Sequence, residues 1–233
     1  MRIAIISDIH SNLEALMKAM EIIDRQSIDE ITCLGDIVGY GANPNECIEL
    51  IRQRCNIVIK GNHEDAVIDV TVADDFTESA RSAILWTRQQ ITEENLGYLR
   101  SLPLTYRRSE MVLVHSSPCE PQEWNYIFEE DTAARAFRCF SEPLCFIGHT
   151  HIPMMFSPNG HASVITNGER YLINVGSVGQ PRDRNKDLSF GIFDTRSWTY
   201  ENIRSPYDME TAAGKILKTA LPPRLGRRLF MGV

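Results

Sequence analysis

Short apolar segments recur along the chain, and each ends in a polar or glycine-containing stretch. Their length and β-branched content are typical of buried strands. Two stretches with the apolar spacing of one helix face, residues 12–25 and 43–54, separate the first three segments. This alternation predicts a β-α-β-α-β unit, and hence a largely parallel sheet with helices on its faces. The segments are residues 3–6, 31–34, 57–59, 111–114 and 144–147.

The pattern changes after residue 64. Residues 65–102 have helical periodicity over a length that a simple crossover does not need, so we expect a helical insert near the rim of the sheet. Beyond Pro153, short alternating segments predict a second, more antiparallel sheet, with strands at 163–165, 171–173 and 190–193. We predict a single α/β domain over residues 1–221. A last helix at about 207–219 belongs to it, and 222–233 form a C-terminal surface tail.

Composition excludes several classes of protein. The net charge of -7 disfavours binding to extended nucleic acid, and a small anionic ligand would need a local positive centre. No apolar segment reaches the roughly 18 residues of a membrane span, which predicts a cytoplasmic protein without a membrane partner. The six cysteines contain no C-x-x-C pair, so we expect packed, reduced thiols and no metal ligands among them.

Ionisable and amide side chains follow the predicted strands at the points where the strands end. Five of the six histidines lie at such exits. In an open α/β sheet these exits converge on one rim, where ligands bind. The residues are Asp8, His10, Asp36, Asn62, His63, His115, His149 and His151.

So many carboxylates and imidazoles at one place would be poorly solvated unless a cation compensates them. Oxygen and imidazole ligands without thiolates suit manganese, iron, zinc, cobalt or nickel. Seven of these residues, all except His63, can donate a ligand atom to a metal ion. Seven ligands are too many for a single catalytic ion with an open position. They therefore predict two ions, with Asp36 as the bridge between them. Two such ions about 3.5–4 Å apart can share a hydroxide and hold a phosphate oxygen, which is the chemistry of phosphoester hydrolysis.

The ordered set of motifs resembles the five-part signature of the calcineurin-like metallophosphoesterases. The later segment 174–182 also resembles small prokaryotic members of that family. The resemblance implies a four-layer α-β-β-α sandwich of two mixed sheets flanked by helices, with the site at the strand rim. The motifs are Asp8-Ile9-His10, Gly35-Asp36, Gly61-Asn62-His63-Glu64, His115 and Gly148-His149-Thr150-His151.

The resemblance also implies a role for each site residue. One metal ion would take Asp8, His10, Asp36 and His151, and the other would take Asp36, Asn62, His115 and His149. His63 would be the general acid that protonates the leaving group, or would stabilise the transition state. Glu64 and Asp65 are interpreted as structural, Glu64 as a residue that orients backbone and Asp65 as the start of a helix.

One departure from the family bears on the substrate. The phosphoprotein phosphatase branch has Gly-Asp-x-x-Asp-Arg-Gly in its second motif, whereas Gly39 and Tyr40 replace the second aspartate and the arginine here. The residues with which that branch grips phosphate are therefore missing here. We expect instead a phosphodiesterase that acts on small phosphodiesters or nucleotides. Manganese is the expected metal. The alternatives are a phosphomonoesterase or a dinucleoside polyphosphate hydrolase. A non-catalytic scaffold, like the retromer subunit of this fold, is disfavoured because all seven ligands are present.

Three residues are candidates for substrate contacts. Arg182 could supply a substitute cation, or it could be a surface residue of a glycine-rich turn. Trp124 and Tyr126 could stack on a base. The preferred interpretation places both aromatics in the core of a cap. The helical insert, which contains Trp86, is expected to narrow the entrance to the site.

Overall fold

Two β-sheets pack face to face in the computed structural model of the chain, which describes residues 1–108 and 110–233. The strands, numbered along the chain, are β1 (Arg2–Ile6), β2 (Glu30–Cys33), β3 (Ile57–Val58), β4 (Thr105–Arg108), β5 (Met111–Val114), β6 (Leu144–Ile147), β7 (Met154–Ser157), β8 (Gly160–His161), β9 (Tyr171–Asn174), β10 (Leu188–Asp194) and β11 (Thr199–Ser205).

Helices connect and cover the strands. Short 3-10 helices lie at Val70–Asp75 and Pro121–Glu123. Within residues 1–108 and 110–233, no helix combines the length and apolar character that crossing a bilayer requires. The α-helices are α1 (Leu13–Asp24), α2 (Pro44–Arg54), α3 (Asn62–Ile68), α4 (Glu78–Gln90), α5 (Glu93–Ser101), α6 (Glu130–Ala136), α7 (Met209–Leu217) and α8 (Arg224–Leu229).

The strand order is β11-β10-β1-β2-β3 in the first sheet and β4-β5-β6-β9-β7-β8 in the second. β1, β2 and β3 are parallel neighbours, as the β-α-β-α-β pattern predicted, and β10 joins β1 in antiparallel orientation. In the second sheet β5, β6 and β9 are parallel. The expectation that the later strands form one antiparallel sheet is therefore wrong, because β10 and β11 return to the first sheet.

Side chains of β1 alternate between two cores. Ile3 and Ile5 belong to the core between the sheets, whereas Ala4 and Ile6 belong to the core under the helices. Successive residues of a strand point to opposite faces, so a strand covered on both sides is apolar throughout. This explains why the segment has no polar alternation.

Helices cover the outer faces of both sheets. α1 begins after Asn12, whose side chain accepts a hydrogen bond from the Ala15 amide, and its apolar face packs in the same core as Ile6. On the far side, Ala133 and Ala136 of α6 pack against β5, β6 and β9. The four-layer α-β-β-α sandwich with two mixed sheets is confirmed.

The helical insert starts earlier than predicted. α3 begins at Asn62, directly after β3 and Gly61, so Asn62 and His63 lie in its first turn and Asp65 does not start the helix. α4 and α5 follow and pack in the core of the first sheet. The first turn of α3 therefore carries the predicted site residues toward the rim.

A predicted strand at 163–165 is absent from the structure. Val164 is 73% exposed, and β8 pairs with β7 instead. The physical reason is the tight turn after Ser157, which reverses the chain before residue 163 is reached.

The C-terminal segment differs from the predicted surface tail. Residues 224–229 form α8, which packs against α7 with Leu225 only 1% and Leu229 only 5% exposed. The two leucines lie four positions apart, on one face of the helix, and burying them stabilises the packed arrangement. The description as a surface tail is therefore wrong for this helix.

Two cysteines form a disulfide. Cys119 and Cys139 are bonded, whereas Cys33, Cys47 and Cys145 are buried free thiols, as expected of packed cysteines. The bond ties the loop after β5 to the segment after α6. The expectation of reduced thiols throughout is wrong for this pair, because only the return of the chain brings the two residues together.

Candidate functional site

Side chains from the strand ends meet in two buried clusters. In the first, Asp8, His10, Asp36 and His151 offer ligand atoms that all lie within 4.8 Å of one another. In the second, Asp36, His115 and His149 do the same. Asp36 belongs to both, so the two clusters are joined through one carboxylate.

The distances place Asp36 between the clusters. Its Oδ2 atom lies 3.6 Å from His10 Nε2 and 3.4 Å from His115 Nε2. His151 Nε2 lies 3.3 Å from Asp8 Oδ1. These nitrogens and oxygens are too far apart for strong hydrogen bonds, and they surround spaces that a cation can occupy.

Many of the site residues have an unusual backbone conformation. Non-glycine residues with positive φ are uncommon, and they persist where surrounding structure holds them, often at functional sites. Here they turn the chain sharply after a strand, so that the side chain points to the rim. They include Asp8 (φ 54°), His10 (49°), Asp36 (52°), Tyr40 (59°), His149 (68°) and His151 (61°).

A motif glycine allows the strand ends to approach one another. A Cβ atom on Gly148 would collide with the side chains of Ser7 and Asp8. The backbone after β6 therefore passes directly over the end of β1, and the His149 amide donates to Asp8 Oδ2 over 3.0 Å.

Each of the four clustered histidines contacts a backbone carbonyl with one ring nitrogen. The Nδ1 atoms of three of them, and the Nε2 atom of His149, make this contact. A carbonyl can only accept, so the contacting nitrogen carries a proton, and in the neutral imidazole the other nitrogen presents a lone pair. Histidines that bind metals are usually oriented in this way. The contacts are His10 Nδ1 to Val38 O (3.0 Å), His115 Nδ1 to Leu34 O (2.8 Å), His151 Nδ1 to Gln180 O (2.6 Å) and His149 Nε2 to Trp124 O (2.9 Å).

Several buried nitrogen and oxygen atoms of the site lack a hydrogen-bond donor within the described chain, and a cation would satisfy them. The Nε2 atoms of His10 and His151 lie 3.0 Å apart, and both present lone pairs, so they cannot form a hydrogen bond with each other. Asn62 Oδ1 and His115 Nε2 are buried with no hydrogen-bond partner among the described residues. Buried polar atoms of this kind are costly unless something binds them. The donor set therefore fits divalent cations.

Burial favours the neutral form of three imidazoles. It lowers the pKa of His10 and His151 well below the usual range, and that of His149 to about 3. Burial opposes protonation of His115 as well, but nearby carboxylates, Asp36 first, raise its pKa to about 9. Metal ions bind neutral imidazole, so a cation would displace the proton that His115 holds.

Glu64 holds the loop that carries Asp36. Its fully buried carboxylate accepts hydrogen bonds from the amides of Asp36 (2.7 Å), Ile37 (2.8 Å), Val38 (3.1 Å) and Gly61 (2.8 Å). Charge-assisted bonds of this type are about twice as strong as neutral ones. The side chain thus orients backbone, as the sequence suggested, and joins the second and third motifs.

His63 lies beside the clusters without belonging to either. Its ring packs 4.6 Å from both the His10 and Tyr40 rings and 5.5 Å from Phe76. Its backbone amide donates to Asp36 Oδ1 over 2.9 Å. Burial lowers the pKa of His63 to about 4, which leaves a neutral imidazole at pH 7.

Gly39 stands where the phosphoprotein phosphatase branch has an aspartate, and the structure explains this difference. Gly39 has φ +87°, and a Cβ atom there would collide with Nδ1 of His63. The imidazole therefore occupies the space that a side chain at residue 39 would take. An aspartate in this conformation would be strained and would displace His63.

An open cleft of about 740 Å³ lies over the clusters, within the size range of small-molecule sites. All three candidate substrate contacts, Arg182, Trp124 and Tyr126, line it together with Asn62 and His63. The structure thus brings every predicted site residue to one place.

Trp124 and Tyr126 are not core residues of a cap, as the preferred interpretation had it. Tyr126 is 48% exposed and stacks on His149 at 4.0 Å, and the Trp124 indole meets the His115 ring edge-on at 6.0 Å. Phe76 and Ala80 of the helical insert line the cleft, whereas Trp86 of the same insert packs against the core. The insert therefore borders the entrance.

Sequence reasoning missed several residues that line the cleft, among them Phe76 and Arg228. Phe76 lies in the insert, and Arg228 lies on α8 in the segment that was expected to be a tail. Neither follows a strand or belongs to a motif. Only the clustering of arginines near the C-terminus could have drawn attention to Arg228.

Comparisons with known proteins identify the family of the chain. The calcineurin-like phosphoesterase superfamily domain matches residues 1–197. An uncharacterized protein of Methanocaldococcus jannaschii is 43% identical over 240 residues, which cover 99% of this chain and 98% of that protein. A crystal structure of a metallophosphoesterase from Sphaerobacter thermophilus is 39% identical, with a TM-score of 0.90 and complete coverage of both chains. A hypothetical protein of Pyrococcus horikoshii shares the fold, with a TM-score of 0.85 at 19% identity and coverage of 100% of this chain and 98% of that one. The chain therefore belongs to the calcineurin-like phosphoesterase superfamily.

Proposed function

We propose that the protein hydrolyses small phosphodiesters or nucleotides with the help of two divalent cations. The observation that carries this proposal is the position of Asp36, whose carboxylate is shared by two buried clusters of ligand atoms. One carboxylate common to two sets of donors is the arrangement that a pair of neighbouring cations requires. A protein of this family that served only as a scaffold would have no use for it.

Seven side chains would hold the cations. Asp8, His10, Asp36 and His151 would hold one of them, and Asp36, Asn62, His115 and His149 would hold the other. When bound, such cations act as Lewis acids toward phosphate and lower the pKa of water near phosphorus. Manganese is the preferred metal, because oxygen and imidazole donors of this kind suit it.

His63 would act on the leaving group or on a phosphate oxygen. The ring lines the cleft next to His10, and its Nδ1 atom is buried without a hydrogen-bond partner among the described residues. A neutral imidazole can donate one hydrogen bond to a phosphate oxygen. Donation of a proton requires in addition that the bound phosphate anion raise the pKa of His63.

The proposal is tested by an activity screen across metals and phosphate esters. We expect protein loaded with manganese to cleave bis(p-nitrophenyl) phosphate faster than p-nitrophenyl phosphate, with about two ions per chain by mass spectrometry. Faster cleavage of the monoester would make the protein a phosphomonoesterase. Purified protein that binds no manganese, or that binds it and cleaves no ester, would contradict the proposal.

Trp124 and Tyr126 would receive a nucleobase or aryl group at the rim. Tyr126 is 48% exposed and packs on His149 with the two rings nearly parallel, and the Phe128 ring lies 5.3 Å from it. Base stacking on an aromatic side chain is worth about 1–3 kcal/mol. Arg182, at the end of the segment 174–182, also lines the cleft and would contact a phosphate group of the substrate.

We predict that Tyr126→Ala weakens catalysis on nucleotides. For a thymidine 5′-(p-nitrophenyl) phosphate substrate we expect kcat/KM to fall about tenfold, because the stacking partner is lost. Methyl p-nitrophenyl phosphate has the same leaving group and no base, so its kcat/KM should change by less than about twofold. The control variant is Tyr106→Ala, at an exposed tyrosine of β4. Equal effects of Tyr126→Ala on both substrates would rule out base stacking.

A further inference from the structure

The C-terminal helix α8 contributes a cation to the cleft. Arg228 lines the cleft together with Arg182, His63 and Asp36. Its position is fixed, because Leu225 and Leu229 of the same helix are buried against α7. The guanidinium therefore reaches the cleft from an anchored helix.

Arg182 and Arg228 both pack against the ring of Tyr40. The guanidinium carbons lie 5.7 Å and 5.8 Å from the ring centroid. Arg182 Nη2 donates to Gln180 Oε1, and Arg228 Nε donates to the main-chain oxygen of Val233. No other guanidinium nitrogen of the two arginines has an acceptor among the described residues.

Neither Arg182 nor Arg228 has an acidic side chain as a partner within the part of the chain that the structure describes. Neither guanidinium forms an ion pair with an aspartate or glutamate there, although Asp65, Asp75 and Glu123 also line the cleft. Arg182 Nε is buried without a partner among those residues. Burial, with Arg182 nearby, lowers the pKa of Arg228 to about 10, which still leaves it charged at pH 7. Like charges held close together in a half-buried place are stabilised by a bound anion.

Tyr40 sets the position of this pair relative to the clusters. The Tyr40 ring contacts the His10 ring at 4.7 Å and the His63 ring at 4.6 Å. The same ring also contacts the two guanidinium groups. The arginines thus lie one aromatic ring away from the proposed cations, where they can meet an anionic group attached to the reacting phosphate.

We propose that Arg182 and Arg228 form a subsite for a second phosphate group. The preferred substrates then carry a phosphate chain, as nucleoside and dinucleoside polyphosphates do. This inference rests on the proposed function of the same cleft and narrows its substrate class. It also assigns a role to the C-terminal helix, which lies outside residues 1–197 that match the family domain.

The test is a calorimetric titration at a fixed excess of free manganese. Tripolyphosphate, added as its manganese complex, is compared with inorganic phosphate. We expect the wild type to bind tripolyphosphate more tightly than phosphate. Arg228→Gln should weaken tripolyphosphate binding about 10- to 100-fold, the range expected for one charge-assisted contact, and phosphate binding by no more than about threefold.

Two further variants complete the design. Arg227→Gln removes an equal charge from the exposed side of the same helix and should bind both ligands like the wild type. Arg228→Lys should recover part of the tripolyphosphate affinity, since it keeps the charge but not the planar fork.

Several outcomes would overturn the subsite. They are the absence of tripolyphosphate binding in the wild type, equal losses for both ligands in Arg228→Gln, and the same loss in Arg227→Gln. A merely structural Arg228 would lower the melting temperature of Arg228→Gln without changing the ratio of the two affinities. Hydrolysis of bis(p-nitrophenyl) phosphate is measured separately, so failure of the proposed function is recognised independently of this result.

Discussion

Asp36→Asn should abolish most of the activity and release both cations. The substitution keeps the shape of the side chain but removes the charge that both clusters share. Two unit charges about 4 Å apart interact by about 4 kcal/mol at an effective dielectric constant of 20, which corresponds to about a thousandfold in a binding constant. We therefore expect kcat/KM to fall at least about a thousandfold, and the metal content to fall from about two ions per chain to less than one, by mass spectrometry.

The matched control is Asp131→Asn, the same change at an exposed residue in the first turn of α6. It should keep wild-type metal content and activity. Circular dichroism of both variants checks that they are folded. A folded Asp36→Asn protein with two ions and wild-type activity would show that Asp36 does not join the two positions.

His63→Gln should lower kcat without removing metal. His63 belongs to neither cluster of ligand atoms, and its ring lines the cleft. Loss of a positioned proton donor costs about 10²–10⁴ in rate. We expect a decrease in this range for a diester with an alkyl leaving group, and two ions per chain by mass spectrometry.

The leaving group distinguishes the two roles considered for His63. A general acid matters most for a basic alkoxide and little for p-nitrophenolate, so the effect of His63→Gln should grow with leaving-group pKa. An N–H group that only stabilises a phosphate oxygen should give a similar decrease for all leaving groups. His161→Gln is the control, because His161 is exposed and lies in β8. Wild-type rates in His63→Gln for every ester would exclude both roles.

The local sequence pattern predicted the parts of the fold that depend on nearest neighbours in the chain. β5 and β6 have the predicted bounds, and α1 lies within the predicted helical stretch 12–25, with Asn12 as its cap. A strand buried on both faces must be apolar throughout, and a helix N-terminus needs an acceptor for its first amides, so both leave a local signature. The strand predicted at 163–165 is absent because a pair of β-branched residues, Val164 and Ile165, also suits an irregular segment.

The candidate site was predictable for a related reason. Ligand chemistry demands particular residue types, and the topology of parallel strands demands that they follow strand ends. Asp8, Asp36, Asn62, His115 and His149 satisfy both demands, so their meeting could be anticipated without coordinates. The hydrogen bonds that orient the imidazoles could not be anticipated, because they involve backbone carbonyls, which every residue has.

By itself, the sequence determined which side chains the rim would hold, because their types and their places after strands are local properties. Only the tertiary structure decided which ring nitrogen of each histidine faces its neighbours, that Cys119 meets Cys139, and that Arg228 reaches Tyr40. Each of these results from the approach of segments far apart in the chain. The free energy of such contacts depends on packing across the whole domain, so no short stretch of sequence carries a signal for them.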